Sequence, residues 1–285
     1  MKQLKGRVVA ISGAGSGIGR ALAQEFARHG ARLSLCDINL DAVTATADAL
    51  AREGVEVMTQ RVDVGSREDV AAWAEATRSR FGSCNIVVNN AGVALSGAVP
   101  ALRIEDYEWI MRINFWGVIY GTKAFLPLLE ASGEGHIVNI SSVFGLTAQP
   151  LMSGYNASKF AVRGFTESLR QDLELASSCV SATCVHPGGI KTNIAKAARV
   201  DASVSALTGR PAAEATREFE LSFFTTPERA AGIIVNAVRR NRRRVLVGPD
   251  ARLYDWMARL LPSFYQRIFT AVVRMRSRPA TGSQK

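Results

Sequence analysis

Short apolar runs that each hand over to a stretch of helical periodicity constrain this chain more than any other feature. VVAIS (Val8–Ser12), LSLCD (Leu33–Asp37), VMTQRVD (Val57–Asp63) and NIVVNN (Asn85–Asn90) are β-rich and end in polar or glycine turns. IVNIS (Ile137–Ser141), VSATCVH (Val180–His186) and Val245–Val247 continue the series. Helical patterns fall between them around 17–29, 41–53 and 66–80, then over two longer stretches, roughly 105–130 and 154–176. Ser66, followed by Asp69, has the spacing of an N-cap. Strands that are apolar almost throughout bury both faces, so the alternation predicts a parallel sheet with helices on either side. At 285 residues and 47% hydrophobic, the chain can fill one such core. We therefore expect one doubly wound α/β domain over 1–250. Its segment 190–227, where the rhythm breaks, is expected to form a substrate loop or lid.

The first strand runs into Ser12-Gly13-Ala14-Gly15-Ser16-Gly17-Ile18-Gly19 and then into a helix. Glycines at Gly13, Gly17 and Gly19 allow a sharp turn and close approach of a pyrophosphate, which the free N–H groups of the helix N-terminus attract. Asp37 ends the second strand 24 residues after Gly13. A carboxylate there accepts hydrogen bonds from ribose hydroxyls and repels a 2′-phosphate, and neither Ala14, Ser16 nor Ile38 is basic. NAD is therefore expected rather than NADP. Tyr155 and Lys159 stand one helical turn apart, and Ser142 lies thirteen residues before the tyrosine. Taken alone, such a pair is more often structural than catalytic.

Together these motifs resemble the short-chain dehydrogenase/reductase family in its single-domain form. The glycine turn departs from the family pattern only by Ser12 for threonine. Asn89-Asn90-Ala91-Gly92 repeats its N-N-A-G motif, Tyr155-Asn156-Ala157-Ser158-Lys159 its Y-x-x-x-K, and Pro187-Gly188 its turn after the sixth strand. The resemblance implies a single Rossmann domain with a seven-stranded, mostly parallel sheet and, in this chain, a C-terminal helical extension. It implies catalytic residues Asn114, Ser142, Tyr155 and Lys159, with Tyr155 as general acid/base and Ser142 holding the substrate oxygen. Lys159 would lower the tyrosine's pKa and hold the nicotinamide ribose, and Asn114 would order a water beside it. Cofactor contacts follow at Gly13, Ser16, Gly17, Ile18, Gly19 and Asp37. Asp63 and Val64 are implied at the adenine, then Asn90, Ala91, Gly92, Pro187, Gly188, Ile190 and Thr192. A homo-oligomer, dimer or tetramer, is implied as well.

Charge is unevenly spread. Residues 239–285 hold 12 basic and 2 acidic residues, the whole of the +10 excess. Residues 251–285 read as a basic amphipathic helical extension in which Leu253, Trp256, Met257, Leu260, Leu261, Phe264 and Ile268 form an apolar stripe, and Pro262 should split the helix. That stripe suits docking on the body or on another subunit, or peripheral contact with an anionic membrane. Four scattered cysteines point to reduced thiols, and MKQLKG leads straight into a strand, so no signal peptide and a cytoplasmic protein are expected. His29, His136 and His186 lack ligand spacing, so no metal is expected, and no readout motif suggests nucleic acid. The expected function is hydride transfer between NAD and an apolar secondary alcohol or its ketone, steroid-, retinoid- or lipid-like. The alternative from another class is a non-catalytic cofactor-binding regulator or scaffold.

Overall fold

In β1 (Val8–Ser12) every residue is buried, because its neighbours pair on both edges and helices cover both faces. Val9 and Ile11 point to one face with Leu22 and Phe26, while Val8 and Ala10 point to the other with Trp73 and Phe125. These observations come from a computed structural model, which describes residues 1–211, 214, 217 and 223–277. The remaining strands of the main sheet are β2 (Arg32–Asp37), β3 (Val57–Arg61), β4 (Ile86–Asn89), β6 (Gly135–Ile140), β7 (Val180–Pro187) and β9 (Arg244–Val247). Their order is β3-β2-β1-β4-β6-β7-β9, every pair parallel. The chain reverses its direction of travel between β1 and β4, which opens a crevice at the carboxyl ends of those strands.

Helices α1 (Gly17–Arg28), α2 (Leu40–Arg52), α3 (Arg67–Phe81) and α6 (Ser153–Leu175) lie within a residue or two of the expected spans. Ser66 caps α3 by accepting the Asp69 N–H at 3.1 Å. The long helix expected near 105–130 is interrupted. It is α4 (Ile104–Met111), a π-turn (Arg112–Trp116) and α5 (Gly117–Ala131), with Asn114 in the π-turn. The third strand stops at Arg61, short of the expected Asp63, as the chain leaves the sheet to place Asp63 over the crevice.

Several elements were not assigned from the sequence. A small parallel pair joins β5 (Leu95–Ser96) to β8 (Arg199–Val200), and α7 (Ser203–Thr208) follows it. Helix α8 (Pro227–Arg239) opens with Thr226 accepting the Arg229 N–H at 3.3 Å and with proline in its first turn, and it packs against α1. The C-terminal extension, by contrast, was expected: after β9 come α9 (Pro249–Leu260) and α10 (Phe264–Arg276), split at Pro262 as the sequence predicts. Much of 212–222 and all of 278–285 fall outside the described residues, so only part of the expected 190–227 loop and 251–285 extension is seen. Among the described residues no helix is long and apolar enough to cross a membrane.

Candidate active site

The turn after β1 is built to stay open. Gly13 and Gly17 sit at φ 65° and 52°, where a side chain is strained. A Cβ on Gly13 would meet Ala91 Cα at 2.9 Å, and one on Gly19 would collide with the Gly13 carbonyl. Ser12 keeps a hydroxyl at this position and uses it: its Oγ accepts the N–H groups of Asn90 at 3.0 Å and Ala91 at 3.1 Å, tying this turn to the loop after β4. Asn90 Nδ2 completes the tie by donating to the carbonyls of Ser12 and Gly13. Helix α1 starts at Gly17 with no side-chain cap and no acidic residue in its first turn, so its N–H groups and positive dipole end face the crevice.

Asp37 is preset at the end of β2. One oxygen accepts the Gly15 N–H at 2.9 Å and the other the Asn39 N–H at 3.0 Å, which leaves further lone pairs for hydroxyl donors. Arg20, one helical turn from Ser16, is directed to the Gly15 carbonyl and to Thr46 Oγ1. Farther along, Asp63 accepts the Gly65 N–H at 2.8 Å and an Arg112 guanidinium N–H at 2.9 Å. Burial pushes its carboxyl up, but Arg112 and the Gly65 amide outweigh that and hold it below the ordinary value. Arg112 was not picked out from the sequence, since a lone arginine in a helical pattern carries no signal.

The reactive end lies where β6 and α6 converge. Ser142 sits just past β6, and its Oγ accepts the Phe144 N–H at 3.1 Å. Ser141, the neighbouring serine, is turned away and donates to the Lys159 carbonyl at 2.8 Å. Leu151, at φ 62°, holds the entry to α6 in a left-handed kink, and its carbonyl accepts the Gly97 N–H at 2.8 Å. From the first turns of α6, Tyr155 and Lys159 reach the crevice floor, with Lys159 Nζ 5.7 Å from the centre of the Tyr155 ring. Burial pushes the tyrosine up to about 12, while its hydrogen bond with Ser142 pulls the other way. Burial likewise brings Lys159 down to about 8. Its ammonium donates to the Ile140 carbonyl at 3.0 Å.

Around these groups is a cleft of about 710 Å³. Its wall includes Gly13, Ser16, Gly17, Ile18, Asp37, Asp63, Val64, Asn90, Ala91 and Gly92 together with Ser142, Tyr155, Lys159, Pro187, Gly188, Ile190 and Thr192. Two expected residues are not on that wall. Gly19 is packed under Gly13, and Asn114 is fully buried. The Asn114 amide accepts the Val93 N–H at 2.8 Å and donates to the Val93 carbonyl and to Ser158 Oγ, each at 3.0 Å. It stands behind Gly92, whose missing Cβ would be 3.2 Å from Asn114 Oδ1 and 3.4 Å from Lys159 Nζ. The sequence reading also missed Asp250 and Tyr254 on α9. Asp250 lies against Gly188 and accepts the Gly189 N–H at 2.5 Å, so the C-terminal extension forms part of the cleft. Among the described residues no three His, Cys, Asp or Glu side chains are grouped to hold a metal.

An open glycine turn over a helix N-terminus, an acceptor at the next strand end and a buried Tyr/Lys pair, all at the switch point of a doubly wound sheet, define a nucleotide-binding α/β oxidoreductase. Residues 7–203 match the short chain dehydrogenase family, and the chain belongs to it. It is 47% identical over 274 residues to SadH of Mycobacterium tuberculosis, which is named as an oxidoreductase, covering 96% of this chain and 97% of that one. Among solved structures, a short chain dehydrogenase/reductase from Burkholderia phymatum in complex with NAD is similar at a TM-score of 0.86 and 31% identity, covering 93% of this chain and 97% of that one. An alcohol dehydrogenase from the archaeon Thermococcus sibiricus, complexed with 5-hydroxy-NADP, is similar at a TM-score of 0.73 and 25% identity, covering 86% of this chain and 96% of that one.

Proposed function

We propose that this chain transfers a hydride between NAD and an apolar secondary alcohol or its ketone, with Tyr155 as general acid/base. The observation that carries the reading is the buried Tyr155 phenol beside Ser142 and Lys159, in a cleft that also holds the glycine turn and Asp37. The residues at the glycine turn fit a dinucleotide: α1 offers uncapped N–H groups to the pyrophosphate, and Asp37 holds an acceptor where ribose hydroxyls would arrive. The Asp37 charge disfavours a 2′-phosphate, and Arg20 is occupied by the Gly15 carbonyl and Thr46, which supports NAD over NADP. When bound, the dinucleotide takes or supplies the hydride and, in its oxidised form, adds positive charge over the site.

In the oxidising direction Tyr155 removes the hydroxyl proton, and in the reducing direction it returns one to the carbonyl oxygen. Ser142 donates to that oxygen and fixes it within reach of the phenol. Bringing Tyr155 from about 12 to near 7 requires about 7 kcal/mol of phenolate stabilisation. In this reading the Lys159 ammonium supplies part of this by charge, and the N–H groups not used on the Ile140 carbonyl donate to a ribose hydroxyl. Asn114 anchors the Val93 backbone and Ser158 directly behind Lys159, which holds the lysine's surroundings in place. The substrate end is lined by Trp109, Phe144, Met152, Ile194, Phe223 and Tyr254, so the reading favours steroid-, retinoid- or lipid-like molecules. Residues 190–227 act as its substrate loop in this reading.

Replacing Tyr155 by Phe tests the proposal, because it removes one oxygen and leaves the packing against Phe144. Turnover of an apolar secondary alcohol should fall at least a hundredfold while NADH affinity stays within about threefold. Unchanged turnover in Tyr155→Phe would overturn the assignment.

A further inference from the structure

One face of the two C-terminal helices is committed to the body of the protein. Tyr254 of α9 lies 6.4 Å from Phe144, centre to centre, and lines the cleft. Phe269 of α10 packs edge-on against both Tyr254 and Tyr265, and the Tyr265 hydroxyl accepts the Ala148 N–H at 3.1 Å. The other face is unpartnered and apolar. Leu253 and Trp256 are each 59% exposed, Leu260 57%, Phe264 51% and Met275 77%. At helical spacing Leu253, Trp256 and Leu260 share an arc of about 60°. Phe264, Ala271 and Met275 share a still narrower one on α10.

Arginines edge both arcs. Arg252 and Arg259 lie along one side of the first, and Arg267 and Arg274 along the same side of the second. Between 251 and 277 the sole acidic residue is Asp255, which is taken up by Arg244 and by Arg259 at 3.2 Å. Arg252, Arg267 and Arg274 have no ion-pair partner among the described residues.

We propose that this face of α9 and α10 seats on an anionic lipid bilayer, with the aromatic and aliphatic stripe among the acyl chains and the arginines at the headgroups. A stripe of Trp, Phe and Leu bordered by uncompensated arginine has the chemistry of an interfacial helix. Charge complementarity selects this occupant over a second copy of the chain. A second copy meeting this one through the same face would bring no free carboxylate to the arginines, because Asp255 is already paired. The helices lie flat in this arrangement and do not span the bilayer.

Full-length protein sedimented with vesicles of phosphatidylcholine and phosphatidylglycerol (3:1), and with phosphatidylcholine alone, tests this. Partition onto the anionic vesicles should exceed that onto the neutral ones by at least tenfold and fall as salt is raised. Trp256→Ser with Leu260→Ser, or Arg252→Gln with Arg267→Gln and Arg274→Gln, should each reduce it at least tenfold, with melting temperature confirming that the variants fold. No partition by the folded wild type would overturn the proposal, as would partition that neither variant set alters. A change of particle mass in the Trp256→Ser, Leu260→Ser variant without a change in partition would overturn it in favour of self-association.

Discussion

Gly188 leaves a gap that the Asp250 carboxylate fills, and Gly248, between β9 and α9, borders the same carboxylate. A methyl group on Gly188 would collide with both carboxylate oxygens, so Gly188→Ala should destabilise the fold by about 1–3 kcal/mol and weaken NADH binding. Asp250→Ala in the same chain should recover part of that loss, a coupling that a double-mutant cycle of denaturant midpoints would read. Asp37 carries a different prediction. Asp37→Ser removes the charge that opposes a 2′-phosphate, so the ratio of kcat/KM for NAD over NADP should fall at least tenfold. A ratio left unchanged would remove Asp37 from the specificity argument. At this scale the sequence was most informative where a residue type is required by backbone geometry, as at Gly13 and Gly17. It was least informative where a contact spans the chain, as between Asp250 and Gly189, 61 positions apart.

The elements were legible in proportion to their periodicity. Strands such as β1 and β7 announced themselves as apolar runs, and α6 and α1 kept a helical pattern from end to end. The π-turn at Arg112–Trp116 was not legible, because one extra residue per turn shifts a stripe without erasing it. Helix α8 went unassigned although Thr226-Pro227-Glu228 is a start signal, since it follows the irregular stretch after Ile190. Neighbouring strands also hold two buried histidines, His136 on β6 and His186 on β7, the first bonded to Thr183 at 2.7 Å. Burial brings them down to about 3 and about 4 from an ordinary 6.5. Because the folded values are depressed, their contribution is complete above pH 6.5 and is lost as pH falls toward 4 and 3. For His136 the loss is about 2–3 kcal/mol at pH 4.5. Melting temperature should therefore drop between pH 6.5 and 4.5, and less steeply in His136→Gln. A flat profile in the wild type would contradict this.

For the molecule as a whole, strand–helix alternation was enough to give the doubly wound sheet, and the motifs fixed its direction by placing glycines at one end of β1 and Tyr155 across the switch point. The sequence left the substrate end open, because Phe144, Phe223 and Tyr254 converge from segments about 80 and 30 residues apart and no local pattern links them. It also left the fate of the cationic C-terminus open between docking and lipid. The structure shows docking on one face and an uncovered arginine-edged stripe on another.

Transfer of label from carbon to cofactor tests the central claim most directly. An apolar secondary alcohol bearing deuterium at its carbinol carbon is incubated with the protein and NAD, and the mass of the reduced dinucleotide is read. The expected result is one deuterium per reduced dinucleotide in the wild type, label accumulating at least a hundredfold more slowly with Tyr155→Phe, and a slower reaction with NADP. NADH that binds tightly, with no label transferred from any member of an apolar alcohol panel to either dinucleotide, would contradict it and leave a protein that holds the cofactor without using it.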